Sequence, residues 1–270
     1  MEGRAMIYGT AWKKERTAGL VAQALAAGFR AIDTACQPKH YHEAGVGEGV
    51  ALAMQRGLRR DELYLQTKFT PLAGQDPGRV PYDPHASPEE QVRQSFQVSL
   101  QNLRTDYLDC LVLHSPLATV AETMTVWRAM EGLFRQEGVR RLGISNCYDP
   151  RLVAYLAEHC ATPPAVIQNR FYAATGYDRQ IRAFCNQQGI SYQSFWTLTA
   201  NPHLLDHPVV QALARRHQRS GAQILFRYLT QVGVTPLTGT TSPVHMREDL
   251  AIREFELTGE ECQQVTGLLA

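Results

Sequence analysis

The feature that most restricts how this chain folds is an alternation, repeated along its length, of short apolar runs with segments of helical spacing. The runs fall at 5–8, 29–33, 62–67, 107–113, 139–144, 164–168, 190–195 and 232–236, and most end in polar residues. That is the pattern of parallel strands buried on both faces. Between them, Thr17 to Ala27 has helical spacing and stops at Gly28. At Ser87, Ser-Pro-Glu-Glu reads as a capping box with proline at the first helical position, followed by Val92, Phe96, Leu100 and Leu103. Further helices are expected at 121–137, 150–159, 177–188, 207–217 and 220–231, with a short terminal one at 258–269. No linker, repeat or composition break interrupts the series. The expected fold is α/β, a single (βα)8 TIM barrel domain over 1–270, with a doubly wound open sheet as the alternative.

Charge narrows the function classes. The formal net charge is +1 and the charged residues are dispersed, so neither a nucleic-acid footprint nor a polybasic membrane anchor is expected. Met1 to Tyr8 lacks the apolar stretch of a signal peptide, and no run reaches the length of a membrane span, which points to the cytoplasm. Six separated cysteines without a CxxC pair are expected to be reduced thiols. The segment 70–86, rich in Gly, Pro and Asp, is expected to be a functional or mobile loop. Oligomeric state is left open.

In a barrel the active site collects at the C-terminal ends of the strands. The polar residues there are Asp33, Lys68, His114, Ser145, Asn146 and Gln168, with Phe195 and Trp196 after strand seven and Pro-Leu-Thr-Gly-Thr-Thr-Ser after strand eight. Singly, each has a plain explanation: Asp33 caps a turn, Lys68 is a solvated strand end, His114 is a satisfied core histidine. Together they describe a proton-transfer site beside a bound ligand, because a lysine and an aspartate on one rim form an ion pair. There is no Gly-x-Gly-x-x-Gly, no P-loop and no Gly-x-Ser-x-Gly elbow. His40, His42 and Glu43 have no further ligand nearby at metal spacing, so no metal is expected.

These residues resemble the aldo-keto reductases, from Gly9 to about Leu257. Phe29-Arg-Ala-Ile-Asp-Thr-Ala, Glu43-Ala-Gly-Val-Gly-Glu-Gly-Val, Leu65-Gln-Thr-Lys68, Asp106-Tyr-Leu-Asp-Cys-Leu-Val-Leu-His114, Gly143-Ile-Ser-Asn146 and Val166-Ile-Gln-Asn169 are similar to family segments in the same order. The resemblance implies a small-carbonyl reductase using NADP(H), with NAD(H) as the other possibility, and a catalytic set of Asp33, Tyr41, Lys68 and His114. Tyr41 would supply the proton, its pKa lowered by Lys68, while Asp33 holds the ammonium and His114 orients the carbonyl. It further implies that Thr10, Asp33, Ser145, Asn146, Gln168, Phe195, Trp196, Thr197 and Leu198 hold the cofactor. Thr197 to Leu205 would span its pyrophosphate. Thr238, Gly239, Thr240, Thr241, Ser242, His245, Glu248 and Asp249 would meet its adenosine phosphate, and Trp12, His114 and Ser115 would line the substrate pocket.

The chain departs from the family at several points. Tyr41 follows Asp33 by eight positions rather than five, across Cys-Gln-Pro-Lys-His. Leu237 and His245 stand where many NADP-dependent members carry lysine and arginine, which predicts a narrower preference for NADPH over NADH. The sequence stops at Ala270 without a long C-terminal loop, which predicts an open, tolerant pocket. Two other functions compete with the reductase: a nicotinamide-binding regulatory subunit with little turnover, and an unrelated barrel isomerase or lyase.

Overall fold

The computed structural model describes residues 6–269. Eight strands, β1 (Ile7–Gly9), β2 (Ala31–Asp33), β3 (Tyr64–Phe69), β4 (Cys110–Leu113), β5 (Leu142–Ser145), β6 (Val166–Arg170), β7 (Ser191–Phe195) and β8 (Val234–Thr238), close into one barrel in sequence order. Every pairing is parallel, and β8 returns to β1 with Tyr8 opposite Thr238. Closure decides between the two expected architectures. Parallel neighbours need crossovers, and helices supply them.

These are α1 (Thr17–Ala27), α2 (Glu43–Gln55), α3 (Pro88–Leu103), α4 (Val120–Arg135), α5 (Pro150–His159) and α6 (Arg179–Gln188). After β7 come α7 (Pro202–Leu205), a single turn, then α8 (Pro208–His217) and α9 (Gly221–Gln231). After β8 come α10 (Pro243–Leu250) and α11 (Gly259–Thr266).

All eight expected strands exist, but each begins later, and β1, β3, β5, β6 and β8 run further than their apolar runs. Lys68, Ser145 and Thr238, beyond the expected ends, belong to the ladders because the barrel interior is polar at their level. Ala5, placed in the first strand, lies outside the described residues. The helix expected from 177 starts at Arg179, because Tyr177 and Asp178 adopt left-handed backbone with φ of 52° and 51°. Ser87 does cap α3, accepting from the Glu90 amide at 3.3 Å. The box does not close, since Glu90 turns instead to Arg93.

Alternation along the strands sorts side chains between two cores. Facing inward, Ile7, Ala31, Tyr64, Cys110, Val112, Val166 and Leu237 form a buried cluster inside the barrel. Outward residues pack with the helices in a second, larger cluster that includes Trp127, Phe29 and Phe226. One inward position beyond Tyr64 and Val166, the interior turns polar with Gln66 and Gln168. The polar C-terminal rim rests on that layer.

Helix α2 sits close against both neighbours because glycine faces each of them. A Cβ on Gly49 would meet the Ala18 carbonyl oxygen at 2.6 Å and Val21 Cβ at 2.7 Å, both on α1. On the other side, a Cβ on Gly47 would lie 2.0 Å from the Asn102 carbonyl oxygen of α3. Backbone atoms cannot yield as a side-chain tip does. Gly47→Ala is expected to lower the urea midpoint, costing ~1–3 kcal/mol as overpacking does. Gly19→Ala, at a solvent-facing position of α1 with no atom within 4 Å, should be neutral or stabilising.

Candidate active site

The C-terminal rim is built around a buried ion pair. Lys68 Nζ lies 2.7 and 2.6 Å from the two carboxylate oxygens of Asp33 and 2.9 Å from the Thr34 carbonyl. Gln66 and Gln168 each donate to Asp33 Oδ1, at 2.7 and 2.9 Å. Both also donate to Gln193 Oε1, at 2.8 and 2.9 Å, so the three glutamines and the carboxylate form one lattice. Burial opposes charge on Lys68, but Asp33 and Tyr41 outweigh it and hold its pKa above the usual lysine value. Removing one partner of such a pair strands the other charge in a dry interior. Asp33→Asn is expected to cost ~3–5 kcal/mol in a urea titration, and Asp33→Asn combined with Lys68→Met should recover part of the loss.

Above the pair stands Tyr41, with Lys68 Nζ 5.4 Å from its ring centre and the His114 ring 6.0 Å away, edge-on. Burial raises the Tyr41 pKa, and Lys68 pulls against it. The expected net lowering is therefore reversed: desolvation exceeds the lysine's field, and Tyr41 is held as a phenol. Burial, reinforced by Lys68, drives the His114 pKa well below the usual histidine range, so the ring is neutral. Its Nδ1 lies 2.6 Å from Thr70 Oγ1, and its main-chain carbonyl accepts from Asn146 Nδ2 at 2.9 Å.

The additional residues between Asp33 and Tyr41 do not bulge freely. Gln75 Nε2 donates to the Cys36 carbonyl at 3.0 Å, and Gln37 Nε2 donates to the Gly74 carbonyl at 2.7 Å. His40 is taken up by this network, its Nδ1 2.9 Å from Gln37 Oε1 and its ring 4.0 Å from that of Trp12. His42 is exposed, outside the cavity, while Tyr41 and His40 line it. The 70–86 loop, expected to be functional or mobile, is packed against the site. Gln75 and Tyr82 are buried, Tyr82 donates to the Thr70 carbonyl at 2.7 Å, and only Thr70 and Gly74 of the loop reach the cavity. It buttresses the site from behind.

The cavity measures about 940 Å³ and runs from Trp12, Tyr41, His114 and Ser115 across the rim to His245, Glu248 and Asp249. Thr10, Asp33, Ser145, Asn146, Gln168, Phe195, Trp196, Thr197, Leu198, Thr238, Gly239 and Thr240 line it as well. Thr241 and Ser242 do not. Ser242 is instead the cap of α10, its hydroxyl accepting from the His245 amide at 3.3 Å. Lys68 lies beneath the cavity floor rather than on it. Thr238 Oγ1 donates to Asp249 at 2.7 Å, and burial pushes the Asp249 carboxyl up to about 6 against that bond. Among the described residues, no group of three or more His, Cys, Asp or Glu side chains is placed to hold a metal ion.

A model of the Aldo/keto reductase family matches residues 3–270. The chain belongs to that family. Glyoxal reductase of Bacillus subtilis is 29% identical over 248 residues, covering 92% of this chain and 82% of that protein. The 9,11-endoperoxide prostaglandin H2 reductase of Trypanosoma cruzi is 28% identical over 254 residues, covering 93% and 82%. Among solved structures, the aldo/keto reductase of Brucella melitensis superposes with a TM-score of 0.82 at 26% identity, covering 98% of this chain and 94% of that one. A Bombyx mori aldo-keto reductase in complex with NADP superposes with a TM-score of 0.82 at 26% identity, covering 97% and 88%. Among the described residues, no helix is long and apolar enough to cross a membrane.

Several cavity residues escaped the sequence reading. Lys13 sits in a run of charged residues that looks solvated, yet it is buried and its Nζ lies 2.7 Å from the Gly239 carbonyl. Burial, with Arg16 adding to it, brings the Lys13 pKa down to about 8. Thr70 and Arg170 also line the cavity. Gln66 and Gln193 carry the charge pair from below. Only their inward phase, two residues from Tyr64 and Phe195, could have flagged them.

Proposed function

We propose that this chain is an oxidoreductase that reduces small aldehydes and ketones to alcohols with NADP(H), Tyr41 being the proton donor. One observation carries the reading: a phenol and an imidazole face one cavity directly above a fully buried Lys–Asp pair. The cavity residues fit a dinucleotide. Its volume is at the upper end of small-ligand sites, Phe195 offers an aromatic face, and Lys13 is a buried cation whose only hydrogen-bond partner among the described residues is a carbonyl. Ser145, Asn146 and Gln168 would hold the carboxamide. Thr238, Gly239 and Thr240, with His245, would hold the adenosine phosphate. Neither Leu237 nor His245 offers a fixed positive charge there, which supports a modest margin of NADPH over NADH.

When bound, the reduced nicotinamide supplies hydride to the carbonyl carbon. The chain's own residues manage the proton and the charge. Tyr41 gives its hydroxyl proton to the carbonyl oxygen, and the Lys68 ammonium stabilises the phenolate left behind. Asp33, fixed by Gln66 and Gln168, keeps that ammonium in place. In the tautomer where the Thr70 hydroxyl donates a hydrogen bond to His114 Nδ1, the neutral ring carries its proton on Nε2 and can orient the carbonyl by hydrogen bond.

Tyr41→Phe is expected to abolish most carbonyl turnover while the NADPH dissociation constant, followed by fluorescence, stays nearly unchanged. His40→Ala and His42→Ala should be milder. Near-native turnover in Tyr41→Phe would remove the donor assignment. Thr70→Val should lower kcat by about two- to tenfold, the worth of one hydrogen bond, with cofactor affinity unaltered.

Lys13 gives the reading a pH signature. A cation titrating near pH 8 in the free protein and held charged by a bound phosphate favours binding of its protonated form. NADPH affinity should be flat below pH 8 and fall above it, by at most about tenfold per pH unit. Lys13→Met should bind more weakly and lose this dependence in the same titration.

A further inference from the structure

Arg170 is a cation on the cavity wall for which the proposed chemistry has no use. It ends β6 two residues beyond Gln168, on the same inward face, and pairs in register with Phe195 of β7. Its guanidinium carbon lies 4.3 Å from the Trp196 ring centre and 5.3 Å from that of Tyr172. Aromatic contacts of this kind engage the flat faces of the group and leave the N–H edge uncovered. No carboxylate among the described residues comes within ion-pair distance. Its Nε is buried without any hydrogen-bond partner. The cavity's carboxylates are elsewhere: Asp33 is taken by Lys68, while Glu248 and Asp249 lie with the residues that follow β8.

A guanidinium is always charged and carries five donors in a planar fork. Leaving that fork half-buried and unpaired is costly, and an oxyanion is the acceptor it matches in both charge and shape. We propose that Arg170 is an anion-binding residue of the active-site cavity, taking a carboxylate or phosphate of the bound small molecules on its N–H edge. This rests on the reductase reading. Two sources carry the required chemistry: the carboxylate of an oxo-acid substrate and the diphosphate of the cofactor.

The test compares wild type with Arg170→Gln and Arg170→Lys, each checked for an unchanged melting temperature. One arm measures NADPH dissociation constants by fluorescence. The second compares KM for phenylglyoxylate with KM for its neutral methyl ester. The third follows tryptophan fluorescence, to which Trp196 against the guanidinium contributes, during titration with inorganic pyrophosphate and with benzoate. Loss of one charged, bidentate contact is expected to weaken binding about tenfold or more. If the diphosphate is the source, Arg170→Gln weakens NADPH and pyrophosphate. If the substrate carboxylate is, it raises KM for the acid but not the ester and abolishes the benzoate response. Arg170→Lys should restore only part of either. A folded Arg170→Gln that alters none of the three arms overturns the inference and leaves Arg170 as aromatic packing. Failure of the reductase reading would show differently, as wild-type protein that neither binds NADPH nor reduces the ester. The anion titrations would then still decide the role of Arg170.

Discussion

The bond between Lys68 and Asp33 is the constraint on which the rest of the site is arranged. A buried ion pair persists only when its remaining hydrogen-bonding capacity is met, because desolvation of the two charges otherwise exceeds their attraction. Here the Thr34 carbonyl takes a further ammonium proton, and two glutamines from β3 and β6 load Asp33 Oδ1. Those glutamines meet on a third from β7. Strands on opposite sides of the barrel are thereby tied through its interior, and the lysine cannot leave without breaking the lattice. Tyr41 stands beside a charge whose position the barrel itself fixes.

Its second support lies outside the barrel. The longer connection from β2 carries Tyr41, and the loop after β3 carries Thr70, which contacts His114. The two are cross-bonded through Gln37 to Gly74 and Gln75 to Cys36. A lengthening of one excursion is thus absorbed by the other, and phenol and imidazole are positioned by one shared network rather than by two independent loops. That explains how the tyrosine reaches the cavity despite a spacing eight residues from Asp33.

Much of the barrel was legible because burial on both faces leaves a strand no choice but apolar runs, and crossovers force helical segments between them. The strand ends were misread for a related reason. Where the interior becomes polar, at Lys68, Ser145 and Thr238, hydropathy stops reporting a ladder that the backbone continues. The rim residues were legible in turn because they follow the apolar runs directly. What stayed hidden depends on contacts between distant segments. Lys13 looks like a solvated charge until Gly239, across the barrel seam, closes over it. Thr70 means nothing without His114, and Thr241 and Ser242 looked like ligands because nothing local shows which hydroxyl of a run caps the next helix. The direction of the Tyr41 shift was missed because pairing with Lys68 can be inferred from residue types, whereas the depth of burial that outweighs it cannot.

The charges along the cavity also differ in how firmly they are committed. Lys68 is paired with Asp33 and acts on Tyr41 from beneath its ring. Lys13 is buried against a carbonyl and titrates within reach of neutral pH, so it responds to what arrives beside it. Arg170 keeps its charge regardless of pH and is held by aromatic faces instead of a counterion. An interior with one paired cation, one adjustable cation and one fixed, unpaired cation is poorly suited to a purely neutral occupant. An anionic occupant would offset the cost of the last two, and both a diphosphate-bearing cofactor and a carboxylate substrate have charge of that sign.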